Sequence, residues 1–295
     1  MVGDLARVKS ILSDDRTNIN TRGKDNMTPV MHAAKGGHTE VFDLLVREGA
    51  NLSFVDDDDG NILHLASIGG SVEIVQYVLA QNIVGINSRD TDSQTPVMKA
   101  AIYTGKAVFD LLLKAKADLS LINAYHETIL HMACEGGNIE IIKYILNQDI
   151  VDIDSQDING QTPAMIPASN GNMDVLEILV EAGADLSLER EDGETILHVA
   201  CEWEHIEIIE YLLTHSHVDI NSRDGDDCTP AMMAAREGNE DIFFLLVAHG
   251  ADLTVRNDAG DNILNLACDG DNIHIVKYVS KQHIVARPYR EDDPC

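Results

Sequence analysis

The chain has 295 residues, a formal net charge of −29 and a sequence pI near 4.5. No apolar run approaches the roughly 18 residues that a membrane helix needs, and the N-terminus lacks the charged and apolar regions of a secretory signal. Such acidity argues against a nucleic-acid partner, because phosphate binding needs a concentrated basic surface. It favours a basic protein partner, or serves only to keep an extended molecule in solution.

Eight segments of the sequence repeat one pattern at a spacing of 33 or 34 residues. They begin at residues 28, 61, 95, 128, 162, 195, 229 and 262 and include TPVMHAA, TILHMAC, TILHVAC and NILNLAC. A period of this length is typical of proteins whose repeats stack on their neighbours. In each repeat a threonine cap, often followed by proline, predicts the start of a first helix. Apolar residues at helical spacing, such as Ile141, Ile142 and Ile145, predict a second one.

The period and the T-P-x-x-x-A pattern resemble the ankyrin-repeat family. This resemblance implies an all-α repeat solenoid whose helix-turn-helix units are joined by β-hairpin loops. The solenoid is expected over residues 1–283, with a partial repeat at 3–23 and a polar tail at 284–295. The family's motif histidine links its own threonine to a neighbouring turn, and this structural role carries over to His64, His131, His198, Thr128 and Thr195.

The repeats alternate in kind, so the longer period is 67 residues. Met31, Met98, Met165 and Met232 replace the motif histidine in every second repeat, and Asn265 replaces it in the last. We expect flexible apolar packing of the methionines instead of the polar link. Pro167 occupies a position where a small residue is expected, which predicts a kinked helix at a cost of about 3 kcal/mol.

The five cysteines indicate a reducing compartment. Cys134, Cys201 and Cys268 share one repeat position, too far apart for disulfides, and are expected to be small buried core residues. Cys228 and Cys295 are expected to be more exposed. No C-x-x-C pair suggests zinc, and we predict no cofactor.

Two motifs invite a chemical interpretation. His131 with Cys134, and His198 with Cys201, have the spacing of a base and a nucleophile, but they occupy framework positions of a repeat. The acidic runs Asp56–Asp59 and Asp269–Asp271 lack the twelve-residue pattern of a calcium loop. We therefore predict no catalytic residue, no metal site and no enzymatic activity.

The family resemblance implies binding through the loop tips and the exposed face of the first helix. Large or acidic residues that the framework does not require are the candidates there, namely Phe54, Asp57, Asp59, Tyr103, Tyr125, Glu202, Trp203 and Met233. Further acidic residues recur near the loops with interspersed arginines, which predicts a mixed rim. Its members include Asp25, Asp92, Glu191, Asp192, Glu194, Asp226, Asp227 and Asp261, with Arg22, Arg89, Arg190, Arg223 and Arg256.

The first functional hypothesis is a non-catalytic scaffold or adaptor. It would bind a partner protein through a basic segment, on its concave face and hairpin tips, as a monomer in the cytoplasm or nucleus. The alternative is a regulatory or targeting segment of a larger enzyme, ubiquitin-ligase receptor or channel. A third hypothesis is asparagine hydroxylation, because Leu213 followed by Asp219-Ile220-Asn221 resembles the pattern modified in ankyrin repeats.

Overall fold

The computed structural model describes residues 9–10, 18–215 and 218–282. The predicted partial repeat at 3–23 lies largely outside these residues, and the predicted tail at 284–295 lies wholly outside them, as does Cys295. The chain divides into two compact units, Met1–Ile158 and Asn159–Cys295. Sixteen α-helices and no extended strand occur in the described part, so the predicted all-α repeat fold is confirmed.

The helices come in pairs that match the predicted repeats. In the first unit they are α1 (Pro29–Lys35), α2 (Thr39–Arg47), α3 (Ile62–Gly69), α4 (Val72–Gln81), α5 (Pro96–Tyr103), α6 (Lys106–Lys114), α7 (Ile129–Gly136) and α8 (Ile139–Gln148). In the second unit they are α9 (Met165–Asn170), α10 (Met173–Glu181), α11 (Ile196–Glu202), α12 (Ile206–His215), α13 (Pro230–Arg236), α14 (Glu240–Ala248), α15 (Ile263–Asp269) and α16 (Ile273–Lys281). The predicted hairpins are reduced to single antiparallel bridges, as between Val55 and Asn61.

Capping residues determine where both helices of a repeat begin. Pro29, Pro96 and Pro230 each occupy the first helical position, where proline forfeits no intrahelical hydrogen bond. Five of the second helices start after a polar side-chain cap that the sequence did not lead us to expect, namely Ser71, Asn138, Asn172, Asn239 and Asn272. Asn138 is one of these caps, and its Oδ1 accepts from the backbone N–H of Ile141 at 3.1 Å.

Aromatic pairs join consecutive second helices. Phe42, Phe109 and Phe243 are fully buried at one repeat position. Each ring lies edge-to-face against a tyrosine of the following repeat, with centroids 5.8 to 6.2 Å apart; the tyrosines are Tyr77, Tyr144 and Tyr278. Such pairs stabilise beyond their buried area. They connect a repeat of the T-P kind to the one that follows it.

His64 and His198 each link their own repeat to the repeat of the T-P kind that follows it. Nδ1 of His64 accepts from the backbone N–H of Asn61 at 3.2 Å, while its Nε2 lies 3.1 Å from the carbonyl oxygens of Ser88 and Gln94. Because Nδ1 accepts, the ring proton is on Nε2, which donates to the neighbouring loop. His198 repeats this arrangement, with Nε2 lying 3.2 Å from the Cys228 carbonyl oxygen.

Met31 and Met98 keep only the hydrogen bond within their own repeat. The sulfur of Met31 accepts from the backbone N–H of Thr28 at 3.4 Å, and that of Met98 accepts from Thr95 at 3.5 Å. The four methionines of these repeats are buried, and in these two the sulfur adds a local hydrogen bond to the expected apolar packing. A thioether has no proton to donate to the next repeat, and in three of the four methionine repeats an aromatic pair contacts the next repeat instead. The 67-residue period thus corresponds to two interfaces of different chemistry, except in the repeat that begins at 162, where Leu176 replaces the phenylalanine.

Pro167 does not kink its helix as predicted. Helix α9 instead begins at Met165, after a turn in which the backbone N–H of Met165 donates to the carbonyl of Thr162 at 3.1 Å. Pro167 is consequently the third helical residue, where its missing N–H would have no intrahelical acceptor. The proline delays and shortens the helix, which avoids most of the cost of an interior proline.

Two cysteine expectations are also wrong. Cys228 is buried, because its loop packs under the next one and its sulfur accepts from the Asn257 side chain at 3.6 Å. Cys268 is exposed, since it lies in the last helix pair that the structure describes and no described repeat covers that face. Burial in a stack depends on the next repeat as well as on the position within a repeat.

The buried histidines make stability depend on pH. Burial lowers the pKa of His64 and His198 below the ordinary 6.5. Their unfolded forms therefore bind protons more readily, so the stability they contribute is full above 6.5 and is lost as the pH falls below it. Replacing both by asparagine should flatten the stability profile just below pH 6.5 and cost about 1–2 kcal/mol per site at neutral pH.

Asparagine suits this test because Asn265 already plays the local role, accepting from the backbone N–H of Asn262 at 3.1 Å. Urea unfolding at several pH values would provide the profile. The exposed His32, changed to asparagine, serves as the control. An unchanged profile in the double variant would contradict the assignment of the pH dependence to His64 and His198.

Candidate protein-binding surface

The loop tips of each unit form a ladder of backbone hydrogen bonds. In the first unit the N–H of Asp57 donates to the Asp25 carbonyl at 3.1 Å, and that of Thr91 donates to Asp58 at 2.9 Å. In the second unit the N–H of Asp258 donates to the Asp226 carbonyl at 3.0 Å. The tips are therefore held in register, and their side chains recur at a fixed spacing along an edge.

Several loop carboxylates hold their own turn. Asp56 Oδ1 accepts from the backbone N–H of Asp58 at 3.1 Å and of Gly60 at 2.7 Å, and Asp224 does the same in the second unit. These bonds are Asx turns and explain why acidic residues recur there. Within the described ranges, no group of three or more His, Cys, Asp or Glu residues is arranged to hold a metal ion.

Arginines of the predicted rim bind the next loop. The guanidinium of Arg22 donates to the Val55 carbonyl at 3.2 Å, and that of Arg89 donates to Ile122 at 3.1 Å. The same guanidinium of Arg22 covers the ring of Phe54 at 4.6 Å from its centroid, and Phe54 is half-buried. Phe54 thus presents a smaller surface than an unobstructed aromatic ring would.

The other predicted binding residues differ in exposure. Asp57 and Asp59 are exposed at a loop tip. Tyr103 and Trp203 are 59% and 55% exposed, the largest values among the exposed aromatic residues. Met233 is only 5% exposed, so the expectation of an exposed methionine is wrong. Its side chain is covered because it points into the stack and lines a pocket.

Tyr125 is less available than its position suggests. It is 44% exposed, and its hydroxyl donates to Asp92 Oδ1 at 3.2 Å. This hydrogen bond to a carboxylate, reinforced by the negative charge, raises the pKa of Tyr125. The hydroxyl is therefore used within the loop edge, while the ring remains available to a partner.

Asn221, the residue of the hydroxylation hypothesis, is bound to the next loop. Its Oδ1 accepts from the backbone N–H of Asp252 at 2.8 Å, and Asn20 and Asn87 make the equivalent bond to Asn51 and Asp118. A modifying enzyme would need this loop to open. Hydroxylation stays a hypothesis that intact mass tests.

A pocket of about 310 Å³ opens in the second unit between the ends of α11 and α13. Its lining residues are Glu194, Cys201, Glu202, Glu204, Met233, Ala234, Arg236, Glu237 and Asn239. Cys201, Met233 and Ala234 are buried and supply its apolar surface, while the four glutamates supply its charge. Trp203 lies between two of these glutamates in sequence.

Internal arginines partly balance this charge. Arg190 lies 2.9 Å from the carboxylate of Glu194 and 3.9 Å from that of Glu202, and Arg236 lies 3.3 Å from that of Glu237. Glu204 has no ion pair with any described residue. Burial, with the charge of Asp192, raises the pKa of Glu194 despite its arginine partner. Four carboxylates thus face one arginine among the lining residues.

The thiol in this pocket is not a nucleophile at neutral pH. Burial raises the pKa of Cys201 to about 12, so the reactive thiolate is scarce. Both ring nitrogens of His198 already have hydrogen-bond partners, and burial lowers its pKa. The histidine and cysteine therefore serve the framework of the repeat.

The sequence did not predict this pocket, but two of the residues predicted for binding are among those that line it. Glu202 and Met233 line it, with Trp203 adjacent, whereas the other five predicted binding residues lie in the first unit. Glu204 and Glu237 were missed. A usable signal existed for Glu204, which adopts a φ of 59° at the position where Gly137 has a φ of 67°. The last described repeat has Asp271 at the same position with a φ of 50°, so the departure from glycine marks both acidic residues rather than Glu204 alone.

Paired helices, loops joined by single bridges and a constant repeat define an all-α helical-repeat fold. A sequence model described as ankyrin repeats (3 copies) matches residues 1–90, 82–157, 149–224 and 216–289. The chain therefore belongs to the ankyrin-repeat family. This fold is a non-catalytic interaction fold, and it generally mediates contacts between proteins.

Several relatives are multidomain proteins. The chain is 31% identical over 225 residues to the chicken nuclear factor NF-kappa-B p105 subunit, covering 72% of this chain and 23% of that protein. It is 27% identical over 282 residues to the Arabidopsis thaliana E3 ubiquitin-protein ligase KEG, covering 90% and 17%. It is 28% identical over 205 residues to a Caenorhabditis elegans transient receptor potential cation channel subfamily A member 1 homolog, covering 69% and 17%.

The chain thus spans about a fifth of the length of these relatives. In the part of the chain that the structure describes, the longest helices have ten residues, and none is long and apolar enough to cross a bilayer.

Proposed function

We propose that the chain binds a basic segment of a partner protein. The binding surface in this proposal consists of the pocket between α11 and α13 and of the loop tips. The observation that supports this most is the pocket itself, which combines four glutamates with a buried apolar surface on an otherwise repetitive frame. Repeat stacks offer extended surfaces for such contacts. In this proposal the chain acts as a monomer, in the cytoplasm or nucleus.

Two physical effects would act together in this binding. The net charge of −29 attracts a basic partner over a distance of about one Debye length and raises its association rate. Exposed aromatics, with Tyr103 in the first unit and Trp203 in the second, then supply short-range contact area. The first effect weakens with salt, whereas the second does not.

The test compares short peptides of equal length that are basic, neutral or acidic. We expect only the basic peptides to bind the intact chain, with affinity that falls as salt increases. The Tyr103→Ala/Trp203→Ala variant should weaken binding by about tenfold at every salt concentration, because it removes aromatic contact without altering charge. Biolayer interferometry measures both, and circular dichroism checks folding. Equal binding of acidic and basic peptides would refute the proposal.

A second candidate is a regulatory or targeting segment of a larger protein. It is favoured by relatives named as a ubiquitin-protein ligase and a cation channel, of which the matched region is a small share. The mass of the endogenous protein, captured with an antibody against the repeats, tests this candidate. A mass equal to that of the chain alone would exclude it.

A further inference from the structure

We infer that the pocket between α11 and α13 receives one arginine side chain of the partner's basic segment. This inference deepens the proposed function and rests on it. Three separate properties of the pocket lead to it: its size, the arrangement of its apolar and charged surfaces, and an aromatic residue beside it. Each property excludes a different class of occupant.

The size limits the occupant to a narrow group. A volume of about 310 Å³ lies at the lower end of the range for ligand pockets. It admits one long side chain but no folded element of a partner. The buried Met233 and Ala234 would contact the aliphatic stem of that side chain.

The charge selects a cation. Four glutamates and one arginine among the lining residues leave a formal charge of −3. Glu202 and Glu204 come from the end of α11, and Glu237 follows the end of α13, so the carboxylates approach from two segments. Glu202 and Glu237 already lie near Arg190 and Arg236, but an anionic or neutral side chain would leave Glu204 without a cationic partner among the described residues.

Arginine fits better than lysine for two reasons. Its planar guanidinium has five donors and binds more than one carboxylate at once, which suits carboxylates on two segments. It also stacks on aromatic rings. Trp203 is 55% exposed, lies between Glu202 and Glu204 in the sequence, and would supply such a ring.

Trp203 is unusual among the repeats of its own kind. The corresponding residues Gly69, Gly136 and Gly270 lie so close to the preceding repeat that an added Cβ would be 2.0 to 2.3 Å from a carbonyl oxygen. In the repeat before that of Trp203, the first helix is α9, which Pro167 shortens. A large side chain thus occupies a position where the other three repeats of this kind have glycine, and more than half of its surface is exposed.

The experiment uses the full chain with methyl-labelled methionine and short Gly/Ser peptides carrying spaced arginine, lysine or citrulline. We expect the arginine peptide to shift the Met233 methyl resonance and to bind more tightly than the lysine peptide, with citrulline inactive. Glu202→Gln/Glu204→Gln should weaken arginine binding about tenfold. The matched control Glu207→Gln/Glu210→Gln removes the same charge from exposed positions of α12 outside the pocket, and should change binding less than twofold.

The outcomes separate this inference from the proposed function. Equal weakening by both double variants, or an unshifted Met233 methyl with bound peptide, would refute the pocket while leaving basic-segment binding intact. Equal affinity for lysine and arginine would refute the choice of arginine. Absence of binding by every basic peptide would overturn both proposals.

Discussion

Gly69→Ala is expected to destabilise the first unit by about 3 kcal/mol, near the upper end of the usual cost of overpacking. An alanine Cβ at this position would lie 2.0 Å from the carbonyl oxygen of Ala34 and 2.9 Å from the backbone nitrogen of Gly37. Both contacts are with backbone of the preceding repeat, which cannot rotate away as a side chain can. Helix propensity alone would favour alanine by about 1 kcal/mol, so the direction of the effect tests the packing.

Gly105→Ala is the control in the same unit. Its added Cβ would have no heavy atom within 4 Å, and the residue has a φ of −82°, which alanine readily adopts. Urea unfolding monitored by circular dichroism, with hydrogen exchange of α1 and α3, gives the two stabilities. The close approach would be disproved by a Gly69→Ala protein as stable as Gly105→Ala.

The period of the sequence was sufficient to predict the helices because each repeat carries its own start signals. Pro29 and Pro96 mark first helices directly, and the apolar spacing around Ile141 marks a second one. These signals are local and need no knowledge of neighbours. The family resemblance then implied the order of stacking and the loop positions.

The failures share a physical cause, which is that burial depends on residues about 33 positions away. Cys228 and Met233 were expected to be exposed, yet the following loop covers the first and helix packing covers the second. The pocket escaped prediction for the same reason. Glu204 and Glu237 follow helices of consecutive repeats and meet only when those repeats stack.

The sequence identified Pro167 as a residue that would alter its helix, but it did not show how the helix would change. Pro167 predicted a distortion, but the residue sequence could not distinguish a kink from a delayed start. The delayed start shortens α9 next to the repeat that carries Trp203. His205 fills part of the space between these repeats, with its Nε2 lying 3.0 Å from the Ser169 carbonyl oxygen. The repeat with the shortened helix α9 is thus followed directly by the repeat that carries Trp203.

Phe109→Ala is expected to cost the first unit about 4 kcal/mol, because a fully buried aromatic side chain is lost and leaves a cavity. The repeat that begins at 162 has the buried Leu176 at this position, so Phe109→Leu is a replacement that the chain itself already uses. Leucine should cost only about 1 to 1.5 kcal/mol, the added contribution of the edge-to-face pair with Tyr144.

A Tyr144→Leu variant and the Phe109→Leu/Tyr144→Leu double variant complete a mutant cycle for this pair. If the ring contact links the two repeats, the double variant should lose less stability than the sum of the single ones, by about 1 kcal/mol. Hydrogen exchange of α6 and α8 would detect the loss on both sides of the interface. Strict additivity would mean that the rings stabilise only their own repeats, and the 67-residue alternation would then need a cause other than alternating interface chemistry.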